Sequence, residues 1–284
     1  MTLRISSAAK INLVLSVLGK RRDDYHELRT ILQSVSLYDT LEFARAERLE
    51  IDAPAGITEQ PEQNLVYRAA EIFLQKYAPA QGVKITLTKK IPLAAGLAGG
   101  SADCAGALLG LNKFLAVNLP LAELDKIANQ LGSDIAYCLR GGAYLALGRG
   151  EMLRKIPELP RLYGLILKPP FALSTAEVYR AYRPAGVKIF ADDAYIEGKI
   201  SPENLPTHNA LWPAAGALQP ELPAYRQILK ATNPIACSMS GSGAALFAFY
   251  NDKITRDKAA VSLYGRYEIY PIETINSAQT ISEN

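Results

Sequence analysis

Short bursts of apolar residues over 11–18, 27–37 and 41–44 predict strands in a meander at the start of the chain. The spacing then changes. Leu65, Ala69, Ile72 and Phe73 recur at helical intervals, whereas residues 83–89 alternate apolar and polar as a half-buried strand does. That strand delivers the chain to a glycine- and alanine-rich stretch, PLAAGLAGGSAD over residues 92–103. Beyond it Ala105, Leu108, Leu109, Leu111 and Leu115 have the spacing of a second helix, which would begin near Ser101. A helix over Leu121–Leu131, a short helical run at Asp134 and a strand over 143–147 complete the first part.

Two prolines in four residues, PELP at 157–160, interrupt either regular structure and mark a boundary. The expected division is residues 1–156 and 157–284. The second unit reads as a strand at 163–167, a helix at Thr175–Ala181, a polar and proline-rich middle, and a helix at 225–230. A second glycine loop follows in SMSGSGAALFAF, then a strand at 244–250, a helix at 254–264 and a strand at 267–270, with the tail after Ile275 expected to fray. Strands and helices mixed in this way are α+β patterning.

Composition narrows the function classes. The chain has 284 residues, long for one domain, and 49% of them are hydrophobic, enough for a substantial core. Its 31 basic and 28 acidic residues leave a net charge of +3 with no long run of one sign, so neither nucleic acid nor a membrane is an expected partner. Cys104, Cys138 and Cys237 lie far apart among apolar neighbours and read as reduced core thiols. With no basic segment leading into an apolar run at the start, a cytoplasmic, unexported protein is expected.

Chemistry enters through the first glycine loop. Gly96, Gly99 and Gly100 let backbone approach a ligand closely, and the unpaired N–H groups of the following helix attract an anion. Phosphate is the usual occupant. The loop is neither a P-loop, since no G-x-x-x-x-G-K-[ST] occurs, nor a dinucleotide fingerprint, since it lacks G-x-G-x-x-G. Tight helix packing or a plain turn would use similar residues. Three companions change the balance: Lys10 and Asn12 in SAAKINLVL, Asp134 in LGSDIAYC, and the second glycine loop at Gly241, Ser242 and Gly243.

These three motifs, in this order, resemble the GHMP kinase superfamily. Six shorter stretches, A-K-I-N-L from Ala9, D-x-Y-H-x-L from Asp23, the GLAGGS loop, L-G-S-D ending at Asp134, G-R-G-E from Gly148 and S-T-A-E-V-Y from Ser174, are similar to the branch of that superfamily acting on a cytidine diphosphate-linked methylerythritol. The resemblance implies a two-domain GHMP kinase fold, with an N-terminal unit like the second domain of ribosomal protein S5 and a ferredoxin-like C-terminal unit. It also implies ATP with Mg²⁺ and phosphorylation of the acceptor's 2-hydroxyl, in the non-mevalonate route to isoprenoid precursors.

Residue roles follow from the same resemblance. Lys10 and Asp134 would be catalytic. Pro92, Leu93, Ala94, Ala95, Gly96, Leu97, Ala98, Gly99, Gly100, Ser101 and Ala102 would hold ATP, with Asn64, Leu65 and Lys89 (or Lys90) near adenine. Tyr25 and Tyr179 would sandwich the cytosine, His26 would read its polar edge, and Asn12, Thr175, Gly241, Ser242 and Gly243 would hold the rest of the acceptor. One departure is visible: where the family reads GGSSDAA, this chain has Ala102 and Cys104, which leaves Ser101 to meet the metal. Taken alone, Asp134 is also an ordinary helix cap and Asn64 a good one. An S5-like unit also raises a non-catalytic RNA-binding reading, which the near-neutral charge disfavours. The sequence leaves monomer and homodimer equally open.

Overall fold

The computed structural model describes residues 2–55, 61–184 and 193–283. Two long strands, β1 (Leu3–Lys20) and β2 (His26–Ala46), open the chain and pair antiparallel. They are followed by β3 (Glu50–Asp52), α1 (Leu65–Tyr77), β4 (Gly82–Thr88), α2 (Gly99–Phe114), α3 (Leu121–Leu131), the single turn α4 (Ile135–Cys138), β5 (Ala143–Gly148) and β6 (Met152–Lys155). After residues 157–160 come β7 (Tyr163–Lys168), α5 (Thr175–Ala181), α6 (Asp193–Ile196), β8 (His208–Asn209), α7 (Trp212–Leu218) and α8 (Leu222–Lys230). The last elements are β9 (Ala236–Met239), β10 (Leu246–Tyr250), α9 (Lys253–Leu263), β11 (Glu268–Glu273) and β12 (Gln279–Glu283).

The strands form two sheets. The larger runs β12-β1-β2-β4-β3, with β5 also on β2, β6 on β5 and β8 on β1; the smaller runs β11-β7-β10-β9. Sheet membership changes across residues 157–160, but β8 and β12 cross back to the larger sheet. Strand β10 is buried on both faces: Phe247 and Phe249 enter the larger core, while Leu246, Ala248 and Tyr250 enter the smaller one beneath α5, α7, α8 and α9.

Three expectations need correction. The separate strands at 27–37 and 41–44 are one strand, because no glycine or proline breaks the chain between them. The irregularity is a register shift opposite Ala8 and Ala9, and β2 gives residues 28–33 to β5 and residues 40–46 to β4. The tail after Ile275 is not frayed: β12 pairs with β1 from Leu3↔Glu283 to Ser7↔Gln279 and covers an edge that would otherwise stay open. Within the polar middle, α7 forms with proline in its first turn, where the missing N–H costs nothing. The three cysteines are free and buried, as the pattern predicted, and burial pushes Cys104 up to about 12.

Helix α2 lies so close to the larger sheet that a Cβ at Gly110 would stand 2.1 Å from Phe43 Cζ. That contact fixes the height of the helix, and hence of the loop before it. Gly110→Ala is expected to lower unfolding free energy by about 1–3 kcal/mol, read as a lower urea midpoint. An unchanged midpoint would contradict this seating.

Candidate active site

Lys10 and Asn12 share one face of β1, two residues apart, and both are buried. A buried ammonium persists only where acceptors replace its water. Lys10 Nζ donates to Asn12 Oδ1 at 2.8 Å and to the Gly96 carbonyl at 3.0 Å, and it lies 3.7 Å from Asp134 Oδ2. Asn12 is oriented from behind, since its amide donates to Thr30 Oγ1 at 2.9 Å and that hydroxyl donates to Val14 O at 2.6 Å. Asp134 occupies the N-cap position of α4, yet its carboxylate makes no capping bond and is 36% exposed. It faces Lys10 and a cleft of about 1240 Å³ instead.

The glycine loop forms one wall of that cleft. Positive φ is taken by Ala94, Gly96 and Ala98, and α2 begins at Gly99, two residues earlier than the sequence pointed to. Gly99 and Gly100 are therefore helical. Their N–H groups and that of Ser101 are orphan donors at the positive end of a 16-residue helix, because Ala98 has no side chain to cap them. Ala102 is the first residue along α2 whose N–H is satisfied within the helix. Its N–H donates to Ala98 O at 2.9 Å and its methyl is fully buried, so it lies beneath the loop.

The second glycine loop backs the first. A Cβ at Gly96 would fall 2.2 Å from Ser240 O, and Ser240 Oγ donates to Gly96 O at 2.9 Å. Gly241 and Ser242 line the cleft, and the Ser242 hydroxyl meets Thr175 Oγ1 at 2.8 Å. Gly243 is packed against Met239 and Leu173, outside the lining.

At the far end His26 lies 5.1 Å from the Tyr179 ring, tilted by 32°, and 6.0 Å edge-on from Tyr182. Burial, with the Lys20 charge adding to it, lowers the His26 value below that of a free imidazole, so the ring is neutral at pH 7. Burial, with the Asp134 charge adding to it, raises the Tyr179 phenol. Tyr25 is 56% exposed. Lys20, Arg149, Arg180, Tyr182 and Arg183 also line the cleft and were not singled out from the sequence, although Arg149 lies in the G-R-G-E stretch and Arg180 directly follows S-T-A-E-V-Y.

Three residues expected near adenine stand outside the lining of the cleft. Asn64 caps α1 by accepting from Val66 N at 2.9 Å, and Leu65 packs beneath Gly100; neither lines the cleft. Lys89 is turned into the protein, where its ammonium donates to Asp39 and, at 2.6 Å, to Asp103. Burial opposes that charge, but the two carboxylates overcome it and raise Lys89. Asp39 also accepts from Lys90 N at 2.6 Å and Ile91 N at 2.8 Å. Asp103 has one donor, and its Oδ1 is buried without a partner. Burial pushes Asp103 up to about 8, with Lys89 pulling it down and Asp39 pushing it further up. Asp103, with one donor and a buried unpartnered oxygen, is thus the carboxyl whose surroundings favour a proton.

Comparison with known proteins is consistent across the chain. Residues 64–142 match the model of the GHMP kinases N terminal domain and residues 201–268 that of the GHMP kinases C terminal. The chain is 37% identical over 270 residues to the 4-diphosphocytidyl-2-C-methyl-D-erythritol kinase of Syntrophomonas wolfei subsp. wolfei, covering 93% of this chain and 95% of that one. It is 40% identical over 259 residues to the protein of the same name from Pelotomaculum thermopropionicum, covering 89% and 90%. A crystal structure of 4-(cytidine 5'-diphospho)-2C-methyl-D-erythritol kinase superposes with a TM-score of 0.84 at 33% identity, covering 95% of this chain and 98% of that one. A homoserine kinase from Cytophaga hutchinsonii shares the fold at a TM-score of 0.74 and 18% identity, over 99% and 97% of the two chains.

The buried triad makes stability depend on pH. Asp103 keeps its proton in the folded protein up to about 8, but loses it near 3.9 when unfolded. A raised value contributes stability that is complete below the unfolded pKa and is lost as pH rises through the folded one. Asp103→Asn fixes the neutral form, so its Tm is expected to gain on wild type between about pH 5 and pH 8. A constant difference across that range would contradict the proton's placement.

Proposed function

The chain belongs to the GHMP kinase family, among its 4-diphosphocytidyl-2-C-methyl-D-erythritol kinases, and from that premise we propose how this cleft divides its two substrates. The reaction transfers the γ-phosphoryl group of ATP to the 2-hydroxyl of 4-diphosphocytidyl-2-C-methyl-D-erythritol. It yields the 2-phosphate and ADP, in the methylerythritol phosphate route to isoprenoid precursors. ATP lies along the loop from Pro92 to Ser101, its phosphates on the orphan N–H groups of Gly99, Gly100 and Ser101. The acceptor lies toward Tyr25, His26 and Tyr179, with its diphosphate against Gly241 and Ser242. Residues 1–156 thus supply the ATP wall and the catalytic pair, and residues 157–284 supply Thr175, Tyr179 and the second glycine loop. The observation that carries this division is the Lys10–Asp134 pair, 3.7 Å apart, held at the carbonyl of Gly96 beside the helix terminus.

Phosphoryl transfer passes through a loose transition state, so positioning and charge matter more than early deprotonation of the nucleophile. Asp134 accepts the proton of the 2-hydroxyl. Lys10, fixed by Asn12 and Gly96, keeps a positive charge between that carboxylate and the phosphoryl group being transferred. The cytosine stacks between Tyr25 and Tyr179, and the neutral His26 ring is free to pair with its polar edge.

Mg²⁺ fits the residues present. It takes few protein ligands and completes its shell with phosphates and water, and Ser101 lines the cleft in the first turn of α2, where its hydroxyl could serve as a ligand. Asp103 is committed to Lys89 and is not available. When bound, the ion neutralises charge on the β- and γ-phosphates. We place the reaction in the cytoplasm, in keeping with three free buried thiols, on small molecules rather than nucleic acid, in keeping with a net charge of +3. No helix among the described residues is long and apolar enough to cross a membrane.

Coupled measurement of ADP tests the assignment, with turnover expected only when ATP–Mg²⁺ and the cytidine substrate are both present. Asp134→Asn is expected to lower kcat by about 10²–10⁴ while both ligands still bind. Tyr179→Ala is expected to raise KM for the cytidine substrate by roughly fivefold or more, leaving KM for ATP near its wild-type value. Turnover of homoserine, galactose or mevalonate in place of the cytidine substrate would overturn the assignment.

A further inference from the structure

The turn between β5 and β6, G-R-G-E over residues 148–151, has no part in the roles above. It nevertheless reaches both ends of the acceptor site. On one side the guanidinium carbon of Arg149 stands 4.8 Å from the centroid of the Tyr25 ring. On the other, a Cβ at Gly150 would come within 3.7 Å of Asp134 Oδ1, so backbone alone faces the carboxylate there. Arg149 and Gly150 both line the cleft. The turn is tied from within: Glu151 Oε2 accepts from Arg149 N at 2.6 Å, and Glu151 Oε1 lies 3.8 Å from Arg149 Nε.

Tyr25 needs such a support. The residue is 56% exposed, and ordering an exposed side chain when a ligand arrives weakens binding. A cation over one face orders the ring beforehand and leaves the opposite face for a base. Arginine suits that place better than lysine, because its planar guanidinium stacks on an aromatic face while still reaching a carboxylate.

We propose that Arg149 is a positioning residue for cytidine recognition, bracing Tyr25 against the base. It rests on the reading of the Tyr25–Tyr179 end as the cytidine site.

Steady-state kinetics of Arg149→Met, Arg149→Lys, Tyr25→Ala and the double variant Tyr25→Ala/Arg149→Met test the proposal. Arg149→Met is expected to raise KM for the cytidine substrate about five- to tenfold. KM for ATP and kcat stay within about twofold of wild type, and Arg149→Lys falls between. The double variant shows no further rise over Tyr25→Ala, because Arg149 acts through that ring. An unchanged KM in Arg149→Met, an equal rise in KM for ATP, or additive effects in the double variant would overturn the proposal. Wild-type protein that fails to turn over the cytidine substrate would instead overturn the reading beneath it, and the proposal with it.

Discussion

The carbonyl oxygen of Gly96 accepts from Lys10 Nζ and from Ser240 Oγ, and the arrangement of the cleft depends on that one acceptor. It joins β1, the first glycine loop and the second glycine loop, three segments far apart in the chain. A bond from a charged donor is worth about 1.5–3 kcal/mol net, and an unpaired buried ammonium costs more than that bond gains. Lys10 therefore stays where the carbonyl is. Because a Cβ at Gly96 would collide with Ser240 O, no larger residue allows the two loops to approach so closely. The charge that faces Asp134 is thus placed by backbone, and backbone is placed by the packing of α2 on the larger sheet.

Beneath this arrangement lies a second buried ammonium with a different task. Lys89 ties Asp39, at the middle of β2, to Asp103, one turn into α2, while Asp39 takes the N–H groups of Lys90 and Ile91. The chain entering the loop and the helix leaving it are anchored to one point under the cleft. Two lysines brought near the same loop by the fold are divided by environment. Lys10 has a partly exposed carboxylate and an open cleft beside it, whereas Lys89 is enclosed by the side chains of Asp39 and Asp103.

Much of this was legible in the residues, and the failures have identifiable causes. The strand, glycine loop and helix order around residues 83–114 was readable because period two changes to helical spacing across a cluster of glycines. Lys10 and Asn12 were readable as a pair because two positions along a strand share a face. The ion pairs of Lys89 were not legible, because a lysine after a strand looks alike whether it reaches solvent or turns inward, and Asp39, its partner, is fifty residues away. The backbone of the loop was only partly legible: Gly96 takes the positive φ that glycine permits, but Ala94 and Ala98 adopt it too, because tertiary packing there overrides residue preference. The strand in the tail after Ile275 was not legible, because nothing local marks a strand whose stability comes from the edge of β1. Arg149 escaped notice because its significance is a contact with Tyr25, which no spacing encodes.

The central claim is geometric: main-chain donors at the start of α2 hold the triphosphate while Lys10 and Asp134 meet the acceptor alcohol. A crystal structure with a non-hydrolysable ATP analogue and the cytidine substrate measures it directly. The account predicts the γ-phosphate over the N–H groups of Gly99, Gly100 and Ser101, with the 2-hydroxyl within hydrogen-bond reach of both the Asp134 carboxylate and Lys10 Nζ. Phosphates seated away from that helix terminus, or a 2-hydroxyl out of reach of both side chains, would contradict it.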